Sequence, residues 1–156
     1  MVSFLIAYMS WSGNTREVAE LIRRQLNEAS IDVTLYRIGS NAPIPDVTAY
    51  DAFMLGCFTW GKGDTPVKVK KFIAQVGFKP DLVYIFGTGD TQFGGDDLFC
   101  HAATKLAKFY HSPLPPLRIE QSPRGHQEQF VEEWTERVIQ HFYNLKRDDK
   151  AYGPTV

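Results

Sequence analysis

The stretch Ser10-Trp11-Ser12-Gly13-Asn14-Thr15 puts four hydroxyl or amide side chains into six positions, just before a segment of helical periodicity. A helix N-terminus carries unpaired backbone N–H groups and roughly half a positive charge, so this arrangement suits a phosphate. Ser10, Ser12, Asn14 and Thr15 add side-chain donors, and Gly13 lets the backbone approach closely. A helix cap alone, from Asn14 or Ser12, needs only one such residue. No Gly-Lys-Ser/Thr follows, which excludes the nucleotide-binding P-loop, and the run is not Gly-x-Gly-x-x-Gly. Two further loops concentrate unusual residues. One is Thr59-Trp60-Gly61, followed by Lys62-Gly63; the other runs from Gly87 to Gly95 and holds Gly89, Asp90 and Phe93. The Trp60 indole has little local core to fill, and it either offers a ring surface to a ligand or is buried under its own loop. Asp90 offers a carboxylate acceptor, or else closes an Asx-turn among glycines. His101, His111, His126 and His141 are scattered, and Cys57 and Cys100 lack metal-ligand spacing, so neither a metal site nor a catalytic constellation is expected.

The elements that must position these loops alternate along the chain. Ser3 to Tyr8 is a short apolar run, as in a strand buried on both faces. Val18, Ala19, Leu21, Ile22 and Leu26 then share one helical face, opposite most of Arg16, Glu17, Glu20, Arg23 and Arg24. Ile31 to Tyr36 alternates like an edge strand, and Ala52 to Cys57 is again apolar. Pro66 opens a helix with Val67, Val69, Phe72, Ile73 and Val76 inward, and Leu82 to Phe86 is a fourth strand. Leu98, Ala102, Ala103, Leu106 and Phe109 form another stripe. Pro113, Pro115 and Pro116 confine any strand between Ser112 and Gln121 to a short one at a sheet edge. Phe130, Val131, Trp134, Val138, Ile139 and Phe142 mark a last helix. This order requires a doubly wound α/β fold: a five-stranded parallel sheet, order 2-1-3-4-5, with helices on both faces. Ligands of such sheets sit at the strands' carboxyl ends, where all three loops fall.

The length, 156 residues, fits one domain, here residues 1–145 with a polar C-terminal tail at 146–156 expected to fray. Hydrophobic residues at 44% and charged ones at 22% describe a globular chain. A net charge of −1 argues against a strongly basic nucleic-acid binder, and no apolar run reaches membrane-spanning length. With no secretory signal visible and two thiols, a cytoplasmic protein is expected.

In these places the loops resemble those of the flavodoxins. Ser10 to Thr15 is similar to that family's Thr/Ser-x-Thr-Gly-Asn-Thr phosphate signature, with Ser12 in place of the usual Thr. Thr59-Trp60-Gly61 looks like the loop over one face of the isoalloxazine, and Gly89-Asp90 to Phe93 like the Gly-Asp-x-x-aromatic loop, Phe93 replacing the usual outer Tyr. No insertion splits the fifth strand, so the resemblance is to the short-chain members. It implies one noncovalent FMN held by Ser10, Trp11, Ser12, Gly13, Asn14, Thr15, Thr59, Trp60, Gly61, Gly89, Asp90 and Phe93. Asp90 would accept the flavin N3–H, and the Gly61 carbonyl would turn toward flavin N5 when that atom carries hydrogen. The implied function is a low-potential one-electron carrier, not an enzyme. It would act as a monomer between a flavodoxin reductase-type donor and redox-enzyme acceptors, without nucleic-acid or membrane partners. Alternatives are an activator of a dimanganese ribonucleotide reductase, an FMN-dependent NAD(P)H or quinone reductase, and a flavin-free interaction module. Flavodoxins are typically more acidic than this chain, whose Lys62, Lys68, Lys70 and Lys71 either soften its reducing power or form a solvated helix face.

Overall fold

A computed structural model describes residues 1–59, 64–90 and 100–151, with side chains through residue 148. The apolar runs form strands β1 Ser3–Tyr8, β2 Asp32–Arg37, β3 Ala52–Phe58, β4 Val83–Gly89 and β5 Leu117–Glu120. Between and after them lie helices α1 Asn14–Glu28, α2 Val67–Val76, α3 His101–Phe109 and α4 His126–Ala151, and a short 3-10 turn, Val47–Ala49, leads into β3. All strand pairs are parallel, in the order β2-β1-β3-β4-β5. This is the doubly wound arrangement read from the alternation.

Strands in the middle are covered on both faces, which explains their unbroken apolar sequence. Phe4, Ile6, Met54, Tyr84 and Phe86 point to one face, where they meet α1 and α4 through Val18, Ile22, Leu26, Val131, Trp134, Val138 and Phe142. Their neighbours Leu5, Ala7, Phe53, Leu55 and Ile85 point to the other, under Val69 and Phe72 of α2 and Ala102, Ala103 and Leu106 of α3. The period of two along each strand thus divides one sheet into two cores. β2 and β5 take the edges, as their alternation and flanking prolines require.

Five readings from sequence are corrected or bounded here. Val67 is 65% exposed because it sits on the first turn past Pro66, on the side away from the sheet. Phe109 is also exposed; its ring lies under the Lys79 ammonium, 4.2 Å from the centroid, and packs edge-on against Tyr110. Phe130 faces outward against His126, one turn earlier. α4 continues to Ala151, so the polar segment placed outside the domain from residue 146 begins inside a helix. Lys146 holds that end, with its ammonium 4.0 Å from an Asp51 carboxylate oxygen and 5.4 Å from the Phe142 ring centroid. Leu98 lies outside the described residues.

Candidate functional site

Strands β1, β3 and β4 end side by side, and hydrogen bonds tie their exits together. The Met9 N–H donates to the Gly56 carbonyl at 2.9 Å, and the Thr59 N–H to the Thr88 carbonyl at 3.1 Å. From the Thr59 hydroxyl a further link runs to α3, whose Ala102 N–H donates to it at 3.2 Å. On the other side, the Gln121 N–H donates to the Gly89 carbonyl at 2.7 Å, and the Gln121 amide donates to Asp90 Oδ2 at 3.1 Å. Two glycines make this crowding feasible. A Cβ on Gly89 would come within 2.9 Å of the Cys100 nitrogen, and one on Gly87 within 2.8 Å of the Ala103 Cβ.

α1 starts at this edge. Its N-cap is Gly13 at φ +96°, and no side chain caps the helix. The first intrahelical bond runs from the Glu17 N–H to the Gly13 carbonyl, so the N–H groups of Asn14, Thr15 and Arg16 have no helical acceptor. Ser10 Oγ accepts from the Gly13 N–H at 3.0 Å and so bends the loop, while the space beside the Gly13 Cα is open. Asn14 and Thr15 begin the helix proper, which disposes of a simple cap by either Asn14 or Ser12. Arg16, on this turn, reaches along the helix to Glu20 at 3.2 Å, and Arg124 comes across to Glu17 at 3.4 Å. An anion here would meet neutral donors and the helix dipole.

Thr15 differs from its expected role in direction. Its side chain is 1% exposed and its Oγ1 lies 2.9 Å from Thr88 Oγ1, in the core. That leaves its backbone N–H to face the loop. Ser12 and Trp11 are exposed, Trp11 at 74%. The structure therefore brings Ser10, Gly13, Asn14, Thr15, Thr59, Gly89 and Asp90 to one edge, whereas Trp60, Gly61 and Phe93 lie outside the described residues. Sequence reading missed Thr88 and Gln121. Thr88 was visible as the hydroxyl between two strand-end glycines, and Gln121 follows from the strand order, which sets the exit of β5 beside that of β4.

Both thiols border the site from beneath. Cys57 and Cys100 are buried, and burial pushes each thiol up to about 12 from an ordinary 9.0, with the second thiol adding to the effect at Cys57. They are inert packing groups at neutral pH. A groove of about 480 Å³ opens elsewhere, between α1 and α4, lined by Arg24 and by Glu28, Glu128, Glu132 and Glu136. It shares nothing with the strand exits. Among the described residues no group of His, Cys, Asp or Glu is arranged to hold a metal, and no helix is long and apolar enough to cross a membrane.

A parallel sheet of order β2-β1-β3-β4-β5, with an uncapped helix start at its carboxyl edge, defines the open doubly wound class of α/β proteins, whose ligands sit at that edge. Comparison with known proteins sharpens this class to one family. The flavodoxin family model matches residues 6–112. A relative named probable flavodoxin 2, from Bacillus subtilis strain 168, is 31% identical over 137 residues, covering 83% of this chain and 89% of its own. The crystal structure of oxidised Flavodoxin 2 from Bacillus cereus superposes with a TM-score of 0.77 at 28% identity, covering 90% of this chain and 99% of that one. A short-chain flavodoxin associated with a non-canonical PDU bacterial microcompartment shares the fold at TM-score 0.80 and 17% identity, over 91% and 99% of the two chains. The chain belongs to the flavodoxin family. Flavodoxins are FMN-dependent electron-transfer proteins rather than enzymes, which sets aside the reductase reading.

Proposed function

We propose that this chain is a low-potential one-electron carrier that holds one noncovalent FMN at the carboxyl ends of β1, β3 and β4. The observation that carries this reading is the start of α1: three N–H groups without helical acceptors, beside open space at Gly13, with the Arg16 guanidinium turned along the helix to Glu20. A phosphate monoester fits that donor set, and the flavin supplies the redox chemistry when bound. Ser10, whose oxygen already accepts from Gly13, keeps its own O–H for the phosphate. Asp90, which accepts from the Gln121 amide at the same edge, would orient the ring through its N3–H. Trp60 and Phe93 would cover the ring and exclude water, and the Gly61 carbonyl would accept a hydrogen bond from N5 when that atom carries hydrogen. Ser12, Asn14, the Thr15 N–H, Thr59 and Gly89 complete the cradle.

In this reading the carrier works as a monomer between a reductase-type donor and redox-enzyme acceptors. Two buried thiols, both free, suit a reducing compartment such as the cytoplasm.

The test separates phosphate from ring. Addition of FMN quenches flavin fluorescence at one equivalent, whereas riboflavin, lacking the phosphate, binds at least about tenfold more weakly. Equal affinities would overturn the assignment of the α1 start. Reductive titration of the complex should resolve two one-electron stages, and NADPH without a reductase should leave the yellow colour unchanged.

A further inference from the structure

Helices α2 and α3 cover one face of the sheet and carry Lys68, Lys70, Lys71, Lys105 and Lys108 without a single carboxylate. By contrast, α1 and α4 on the opposite face hold seven basic and nine acidic residues. With a chain net charge of −1, these lysines are a local excess on the two helices, and Asp96 and Asp97, which precede α3 in sequence, lie outside the described residues. All five lysines are exposed, and among the described residues none lies in an ion pair. Asp64 and Asp81, the carboxylates flanking α2 in sequence, sit in the loops before and after it.

The placement within α2 opposes helix stability. Lys68, Lys70 and Lys71 crowd the first half of a ten-residue helix, at the positive end of its dipole, and Lys68 and Lys71 are neighbours at i, i+3. The electrostatics of the helix gain nothing from this arrangement. The same half of α2 lies at the edge where β3 exits, next to the candidate site. The Lys68 stem is braced: its Cδ would stand 3.2 Å from a Cβ on Gly39, in the turn that follows the exposed Arg37. Val67, 65% exposed among the lysines, adds an apolar contact point.

We propose that Lys68, Lys70 and Lys71 form a docking face for the acidic surface of a partner redox protein. Docking there presents the partner's redox centre to the carboxyl edge of the sheet. The inference rests on the electron-carrier reading and names the charge of the partner. A protein rather than a nucleic acid is the occupant because the patch is one helix about 15 Å long, mixed with exposed apolar surface, on a chain that is not basic overall. Complementary potentials of this kind govern encounter rates.

Two surrogate acceptors of identical fold and opposite charge test it: native cytochrome c, which is basic, and the same protein succinylated on its lysines. The FMN-loaded, fully reduced chain should reduce the succinylated form in a salt-sensitive reaction that slows as ionic strength rises. Combining Lys68→Glu, Lys70→Glu and Lys71→Glu should slow it about tenfold at low salt and speed the native form. The corresponding triple change to Gln should fall between. If the Glu and Gln variants, folded by circular dichroism, leave the rate and its salt dependence unchanged, the proposal is overturned. Amide chemical shifts of α2 on adding the succinylated protein to the FMN-free chain provide a readout that needs no flavin. Absence of those shifts overturns the docking face, whereas failure to bind FMN overturns only the carrier reading. A single-stranded oligonucleotide that displaces the succinylated protein at lower concentration would reassign the face to nucleic acid and overturn the proposal too.

Discussion

The hydroxyl pair Thr15 and Thr88 joins the first turn of α1 to the last residues of β4 inside the core. Thr88→Val would strand the Thr15 hydroxyl without a partner and cost about 1–3 kcal/mol. The double change to Val should cost less than the sum of the single ones, a coupling that urea unfolding of the three variants measures. The thiols make a second prediction. Both hold their protons more tightly in the folded chain than in the unfolded one, so their contribution to stability is complete below pH 9. It is lost as pH climbs from 9.0 toward about 12, on the order of 1 kcal/mol per pH unit per thiol. Tyr110, raised by burial from 10.0 to about 12, adds to the loss at the upper end. Unfolding midpoints above pH 9 should fall less steeply in a chain with Cys57→Ala and Cys100→Ala. At neutral pH, iodoacetamide should label neither thiol until the protein is unfolded.

Among the described glycines, the tightest place for a Cβ lies between β3 and β4. A Cβ on Gly56 would overlap the Phe86 ring at 2.1 Å, and both positions are deep in the sheet. Gly56→Ala should therefore destabilise by about 1–3 kcal/mol, read as a lower urea midpoint. Strand order, the identity of edge strands and the four helices were legible in the sequence because period two and period 3.6 answer to burial, and burial dominates the energy of these elements. Phe109 and Phe130 escaped the same logic. Each finds an aromatic or cationic neighbour on the surface, and a helical stripe that widens by one position carries no mark of where the sheet stops. In the site, residue types were legible and directions were not. Thr15 reads as a donor to the loop, yet its side chain turns to a threonine 73 positions away. Gln121 carries no motif at all; its place follows only once β5 is laid beside β4 and the residue adopts φ +58°.

For the molecule as a whole, binding an anion to the folded form alone raises stability by mass action. A hundredfold excess of FMN over its dissociation constant should add about 2.7 kcal/mol and raise the melting temperature by about 5–10 °C. Riboflavin at equal concentration should do distinctly less, as differential scanning fluorimetry would show. α4 gives the molecule a long axis with two unlike poles. It leaves the strand-exit edge at His126 and reaches the opposite edge, where Lys146 meets Asp51 just ahead of β3. A gold electrode or affinity bead coupled to the chain beyond that far pole would hold the protein upright, with its redox end turned to the solution and its lysine flank unobstructed.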